Sequence, residues 1–370
     1  MVRVNGNLFY LGNDSNESIV RLTDSQLEAW SSTLMTGRQK DAYQRGEEVD
    51  LGYEIPGGGR YRINLCQQRG RPRMVCRYIP DTIRSLEDLE LPQAVHSLLT
   101  SKRGLLLVTG ATGSGKSTTL AAMIDHIART RSCHIITIED PIEFAFKDRR
   151  SIVTQREVGM DTHSFNTALK YALRQDPDVI LVGEMRDPET IHMALTAAET
   201  GHLVLSTLHT NDATETINRI LASVEGDTQS TVRMQLASVL IGVISQRLIQ
   251  RLDKKGRVAA VEILVNNTRI GDLILDPART AEIRDVLDDS PDLGMQSFDK
   301  SLIDHCKNGI ISQEEAIAQC TNPRDFKLRL GGVTSGDWHN KGSASGSLDD
   351  VGPAIEIEEA LGTKSVKKKA

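Results

Sequence analysis

Two short alternating runs flank Asn5-Gly6 between residues 2 and 11, the pattern of a β-hairpin. Thr23-Asp24 then caps a helix predicted from about residue 25 to 36, with apolar residues at helical spacing. Strands are expected at 61–65 and 74–78, with basic residues between them. Residues 1–79 therefore read as a small α+β domain. Residues 80–92 are bounded by Pro80 and Pro92 and carry several charges, which suits a linker.

From Gly104 the texture changes. Unbroken apolar runs at 105–108, 135–138, 179–182 and 203–205 are separated for the most part by helix-period stretches. Buried strands alternating with helices predict a parallel α/β sheet covered on both faces, spanning 93–265. A helical segment is expected over 266–330, with polar turns at Asp289-Ser290-Pro291 and Asn308-Gly309. Residues 331–352 hold six Gly and four Ser in 22 positions, so 331–370 reads as a disordered tail. It ends in Lys367-Lys368-Lys369, best read as solvated.

A length of 370 residues accommodates two domains of about 150 residues each and a remainder. Lys plus Arg total 44 against 50 Asp plus Glu, a net charge of −6. With aromatics at 4%, this argues against a chain that mainly grips nucleic acid. The longest apolar candidate, residues 237–244, falls well short of the roughly 18 residues of a membrane span. No charged-then-apolar secretory pattern opens the chain. Cys66, Cys76, Cys133, Cys306 and Cys320 match no zinc spacing and read as reduced thiols in a cytoplasm. These observations exclude membrane-spanning, secreted, fibrous and wholly disordered classes.

Gly110-Ala111-Thr112-Gly113-Ser114-Gly115-Lys116-Ser117-Thr118 satisfies G-x-x-x-x-G-K-[ST] between a buried strand and a helix. Its glycines let backbone N–H groups curl around phosphate oxygens, and the helix N-terminus adds its positive end. Lys116 should reach the β- and γ-phosphates and Ser117 should hold Mg²⁺. Turnover needs a positioned water as well. The run that starts at Asp176 ends in Gly183-Glu184, at the sheet edge where ligands collect. Glu184 is assigned to polarising the attacking water, with metal contact through water as a second role. Glu139, Asp140 and Glu143 follow the 135–138 strand, and His209 follows the strand that starts at Leu203. Alone, these fit an acidic turn and a polar loop. Converging beside a phosphate loop, they place Glu139 near metal and water and His209 where it senses the γ-phosphate.

The ordered series formed by the Gly110–Thr118 loop, Ile-Glu-Asp-Pro-Ile-Glu-Phe, Asp-Pro-Asp-Val-Ile-Leu-Val-Gly-Glu-Met-Arg-Asp and Ala-Glu-Thr-Gly-His-Leu-Val-Leu-Ser-Thr-Leu-His resembles the secretion ATPase superfamily. Within it, about residues 1–330 look most like the type IV pilus retraction ATPases of twitching motility, the PilT/PilU family. The resemblance implies an N-terminal PAS-like α+β domain, a RecA-like P-loop NTPase domain and ATP near the interface between them. It implies a cytoplasmic homo-hexamer that hydrolyses ATP with Mg²⁺, peripheral at the inner-membrane base of the pilus machine. Its partners would be a membrane platform protein and a paralogous retraction ATPase. Lys116 and Ser117 match Walker A, Glu184 the Walker B glutamate, Glu139, Asp140 and Glu143 the Asp box, and His202 and His209 the His boxes. Basic residues of the first domain complete a site in trans in such motors, and Arg62 and Arg77 are chosen here.

Three departures qualify the resemblance. The chain starts near the hairpin, so the first domain is expected to be truncated. The C-terminal element associated with retraction is degenerate, with Gly271 and Leu275 at expected polar positions, which tilts toward a PilU-like member. The Gly/Ser tail lies outside the match. Alternatives are a type IVB secretion, conjugation, or pilus or type II assembly ATPase, a RecA-like nucleic-acid motor, and a regulatory ATP binder without turnover. The lack of C-x-x-C pairs between His209 and Leu264 sets the chain apart from the assembly ATPases.

Overall fold

The Asn-Gly signal is matched by two paired strands, β1 (Val2–Val4) and β2 (Asn7–Phe9), in antiparallel register. The computed structural model describes residues 23–331 except 57, 58, 80, 81, 225 and 227, and the backbone of 2–4 and 7–9. The hairpin turn and the Gly/Ser and Lys-rich tail beyond residue 331 lie outside the described residues. Helix α1 (Asp24–Leu34) starts at a capping box: the Thr23 hydroxyl accepts from the Gln26 amide, and the Gln26 side chain accepts from the Thr23 amide. A second capping box, Thr36 with Gln39, opens α2 (Gly37–Gln44), which the apolar pattern does not foresee because this helix buries no residue.

Strands β3 (Val49–Ile55), β4 (Gly59–Gln68) and β5 (Arg71–Ile79) form an antiparallel sheet in that order. Val49, Leu51, Ile63 and Leu65 alternate inward and meet Met35 in a small core. The segment expected as a linker continues beyond residue 81 and buries Leu86 and Leu91 in the core of the larger sheet. Helix α3 (Gln93–Leu98) adds Val95 and Leu98 to the same core.

The larger sheet uses β6 (Gly104–Thr109), β7 (His134–Glu139), β8 (Ile152–Glu157), β9 (Val179–Val182) and β10 (Leu203–Leu208). It is completed by β11 (Leu240–Gln250) and β12 (Arg257–Val265), in the order β12-β11-β6-β10-β9-β7-β8. β12 runs antiparallel to β11 and the other pairings are parallel, so the sheet is mixed where an all-parallel one is expected from the sequence. A two-strand hairpin can close an edge without a crossover helix, which is why the helix-alternation pattern misses it. β6 is buried along its whole length. Leu105 and Leu107 join the core on one face, and Leu106 and Val108 the core on the other.

Helices cover both faces: α4 (Lys116–Thr130), α5 (Phe165–Ala172), α6 (Pro188–Glu199), α7 (Ala213–Leu221) and α8 (Thr228–Val239). The apolar run 237–244 is divided between the end of α8 and the start of β11. Among the described residues no helix is long and apolar enough to cross a membrane. The helical remainder comprises α9 (Thr268–Leu275), α10 (Ile283–Val286), α11 (Phe298–Lys307), α12 (Gln313–Gln319) and α13 (Pro323–Leu330). The element with Gly271 and Leu275 is α9; it buries Ile270, Leu273 and Ile274 and exposes Leu275. Residues 1–326 form one compact unit; of the second unit, 327–370, positions 327–331 are described. All five cysteines are free thiols.

Candidate active site

Four parallel strands deliver the chemistry to one sheet edge. Register pairs Leu208 with Thr109, Ser206 with Val182, and Ile138 with Val182, so the residues just beyond these strands converge. The glycine-rich loop leaves β6 there and enters α4 at Gly115. Its φ of 95° lies in the left-handed region, which a Cβ would strain. Gln246 of β11 supports the loop from behind, its Nε2 donating to the Ser114 carbonyl at 2.7 Å.

Lys116 Nζ donates to the Gly110 and Ala111 carbonyls at 2.8 and 3.1 Å. Burial pulls its pKa below the ordinary lysine range, and the Glu184 and Glu143 charges act against that shift. A phosphate oxygen is a stronger acceptor for this ammonium than a neutral carbonyl. A cavity of about 480 Å³ opens in front of the loop, with Thr112, Gly113, Gly115, Lys116, Ser117 and Thr118 on its floor. A recess of about 330 Å³ on the other side of the loop is lined by Gly110, Ala111, Ser114 and residues of β11.

Glu184 is the centre of the opposite wall. His209 Nε2 lies 3.0 Å from one carboxylate oxygen, and Arg186 donates to the other at 2.8 Å. That hydrogen bond raises the Arg186 pKa. The Thr207 hydroxyl donates to the Gly183 carbonyl at 2.7 Å, and the Met185 amide donates to the Thr207 carbonyl at 3.1 Å. These two bonds fix the ends of β9 and β10 beside each other. Arg186 was not foreseen, although it lies two residues after Glu184 in the same motif.

The acidic turn forms the third wall. Glu139 ends β7 and accepts from the Thr137 hydroxyl at 2.7 Å and from Gln155 Nε2 at 3.0 Å. Burial pushes its carboxyl up from 4.5 to about 6, against those hydrogen bonds. Asp140, joined to Pro141 by a cis peptide bond, is also raised by burial, with Arg186 and Arg62 acting in the opposite sense. A carboxyl with a raised folded-state pKa binds its proton more tightly folded than unfolded. The stabilisation from Glu139 is therefore complete below pH 4.5 and is lost as pH rises through about 6. The loss amounts to at most about 2 kcal/mol. Thermal melts across that window should show Glu139→Gln gaining on the unaltered protein as pH rises. A gap that does not change with pH would refute this.

Arg62 and Arg77 face each other in the β4–β5 ladder and line this chain's own cavity, with Arg62 3.5 Å from Glu143 and 3.9 Å from Asp50. The three-stranded sheet leans on the acidic turn of the same chain, where Arg62 meets Glu143, and Arg77 lines the same cavity. His202 lies away from this cavity. It precedes β10, and its carbonyl accepts from the Gly104 amide at the start of β6. Its ring bonds the Ala197 carbonyl at 2.9 Å. A six-residue strand, roughly 20 Å long, separates it from the edge that carries His209. Gln155, which holds Glu139 from β8, carries no signal in the chain because β8 shows no alternation.

Ser117, Glu139 and Glu184 line one cavity with oxygen donors of the kind Mg²⁺ prefers. Among the described residues no three His, Cys, Asp or Glu side chains form a cage for a metal ion. An ion held here would fill its remaining positions with oxygens of water or phosphate, the usual habit of Mg²⁺.

The family model for type II/IV secretion system proteins matches residues 76–324. A twitching motility protein of Neisseria gonorrhoeae is 44% identical over 328 residues, 89% of this chain and 86% of that protein. The type IV pilus retraction ATPase PilT of Pseudomonas aeruginosa is 41% identical over 326 residues, 88% of this chain and 92% of that one. A crystal structure of the pilus retraction motor PilT with bound ADP superposes with a TM-score of 0.77 at 44% identity, over 87% of this chain and 90% of that one.

Proposed function

This chain belongs to the type II/IV secretion system protein family, and from that premise we propose that it is an ATP-hydrolysing motor that powers type IV pilus retraction. One observation carries the reading: a complete phosphate loop faces the Glu184–His209–Arg186 cluster across a single cavity. Residues 1–79 act as a PAS-like domain, 80–92 as the joint, 93–265 as the RecA-like motor and 266–330 as its helical extension.

In this mechanism the loop amides and Lys116 hold the α-, β- and γ-phosphates. Ser117 would hold Mg²⁺, with Glu139 and Glu184 contacting it through water. The ion would neutralise phosphate charge. Glu184 accepts the proton of the attacking water, and His209, 3.0 Å away, orients its carboxylate. Arg62, Arg77 and Arg186 offer planar cationic forks to the transferring phosphoryl group. Hydrolysis then changes the angle between the two domains of adjacent subunits. Hexamers of the chain would act on the inner-membrane platform protein from the cytoplasmic side, alongside a paralogous ATPase.

ATPase activity measured against protein concentration, with oligomer mass read by light scattering, tests this proposal. Turnover should rise as hexamers form. Turnover complete in a stable monomer removes the shared-motor reading, and no turnover in a well-formed hexamer removes the ATPase reading.

A further inference from the structure

Two side chains on one face of β8 grip the acidic turn. Gln155 donates to Glu139 and to the Phe144 carbonyl at 3.0 and 2.9 Å, and accepts from the Phe146 amide at 2.8 Å. Two residues on, Glu157 accepts from the Ile142 amide at 3.1 Å. The same carboxylate accepts from Arg60 Nη2 at 3.1 Å and from the Gly52 amide at 3.3 Å. Arg60 Nε returns to the Ile142 carbonyl at 3.1 Å. The Glu157 side chain is 4% exposed and does not line the cavity, so its acceptor capacity goes to the protein itself.

Gly52 records the closeness of this contact. A Cβ there would fall 2.6 Å from Arg60 Nη2 and 3.0 Å from Glu157 Oε2. A buried ion pair is weak evidence of stability, because apolar pairs of similar volume often serve as well. Geometry is the better account. Ile142 lies between Asp140 and Glu143, and those carboxylates act on Arg62 and Arg186.

We propose that Glu157 is a positioning residue, which with Arg60 ties the acidic turn to the three-stranded sheet and so sets where the cavity arginines meet a terminal phosphate. The inference rests on the nucleotide reading above.

The test uses the full chain and three variants: Glu157→Leu, the double Arg60→Met/Glu157→Leu, and Gly52→Ala. Melting temperature is measured with the affinities for ADP and for ATP bearing a terminal thiophosphate, both with Mg²⁺. The single variant leaves Arg60 uncompensated and should melt early, and the double should recover. The double should bind ADP within about twofold of the unaltered protein, and its preference for the ATP analogue over ADP should fall at least about tenfold. A recovered melting temperature with an unchanged preference overturns the proposal and makes Glu157 a packing residue. If the double does not recover, Gly52→Ala decides by the same ratio, since it displaces the pair without removing a charge. An unaltered chain that binds both nucleotides without turnover fails the ATPase reading while the ratio still judges Glu157. A chain that binds neither overturns both.

Discussion

Glu184→Gln should hold ATP as tightly as the unaltered protein while its kcat falls by about 10²–10⁴. The substitution keeps the shape of the side chain and one acceptor oxygen. The amide cannot take a proton from water. His209 and Arg186, at 3.0 and 2.8 Å, would still orient what remains, so the loss isolates proton transfer from placement. Steady-state phosphate release gives kcat, and retention of labelled ATP on a filter gives binding. A variant that binds ATP and turns it over at the unaltered rate would remove Glu184 from the reaction.

Lys116→Ala should do the reverse and weaken nucleotide binding itself. Two charge-assisted hydrogen bonds to phosphate, at about 1.5–3 kcal/mol each, correspond to about 10²–10⁴ in affinity. The fold should tolerate the change. The ammonium's present partners are two loop carbonyls, and the side chain lines the cavity, so water can replace it. Calorimetry with ADP and a melt in its absence check both halves. An unchanged ADP affinity would mean the loop holds phosphate by backbone amides alone. Together the variants separate the site into a part that grips and a part that reacts: one should trap ATP and the other should not see it.

The parts legible in the chain are those where one local pattern carries the whole message. β6, β7, β9 and β10 are buried on both faces, so they read as unbroken apolar runs, and the glycine-rich loop is a contiguous signature. β8 reads poorly because it is an edge strand whose exposed Ile152 breaks the pattern. β11 is masked because its apolar run begins inside α8. For Glu139 and His209 the position just past a strand was enough, since every parallel strand ends at the same edge. That logic fails for His202, which stands before its strand. It also says nothing about Arg62 and Arg77, whose place depends on how the three-stranded sheet packs. Long-range supports such as Gln155 and Gln246 leave no trace at the level of spacing.

Three cations of the cleft already have partners. Arg62 has Glu143, Arg186 has Glu184, and Lys116 has two carbonyls. A lone sulfate or orthophosphate that seats on one of these three must displace that group's partner. A polyphosphate tail reaches several at once, so the exchange becomes favourable only for a ligand that carries its charges in a row. At these three cations the cleft should therefore favour a chain of linked phosphates over a single anion.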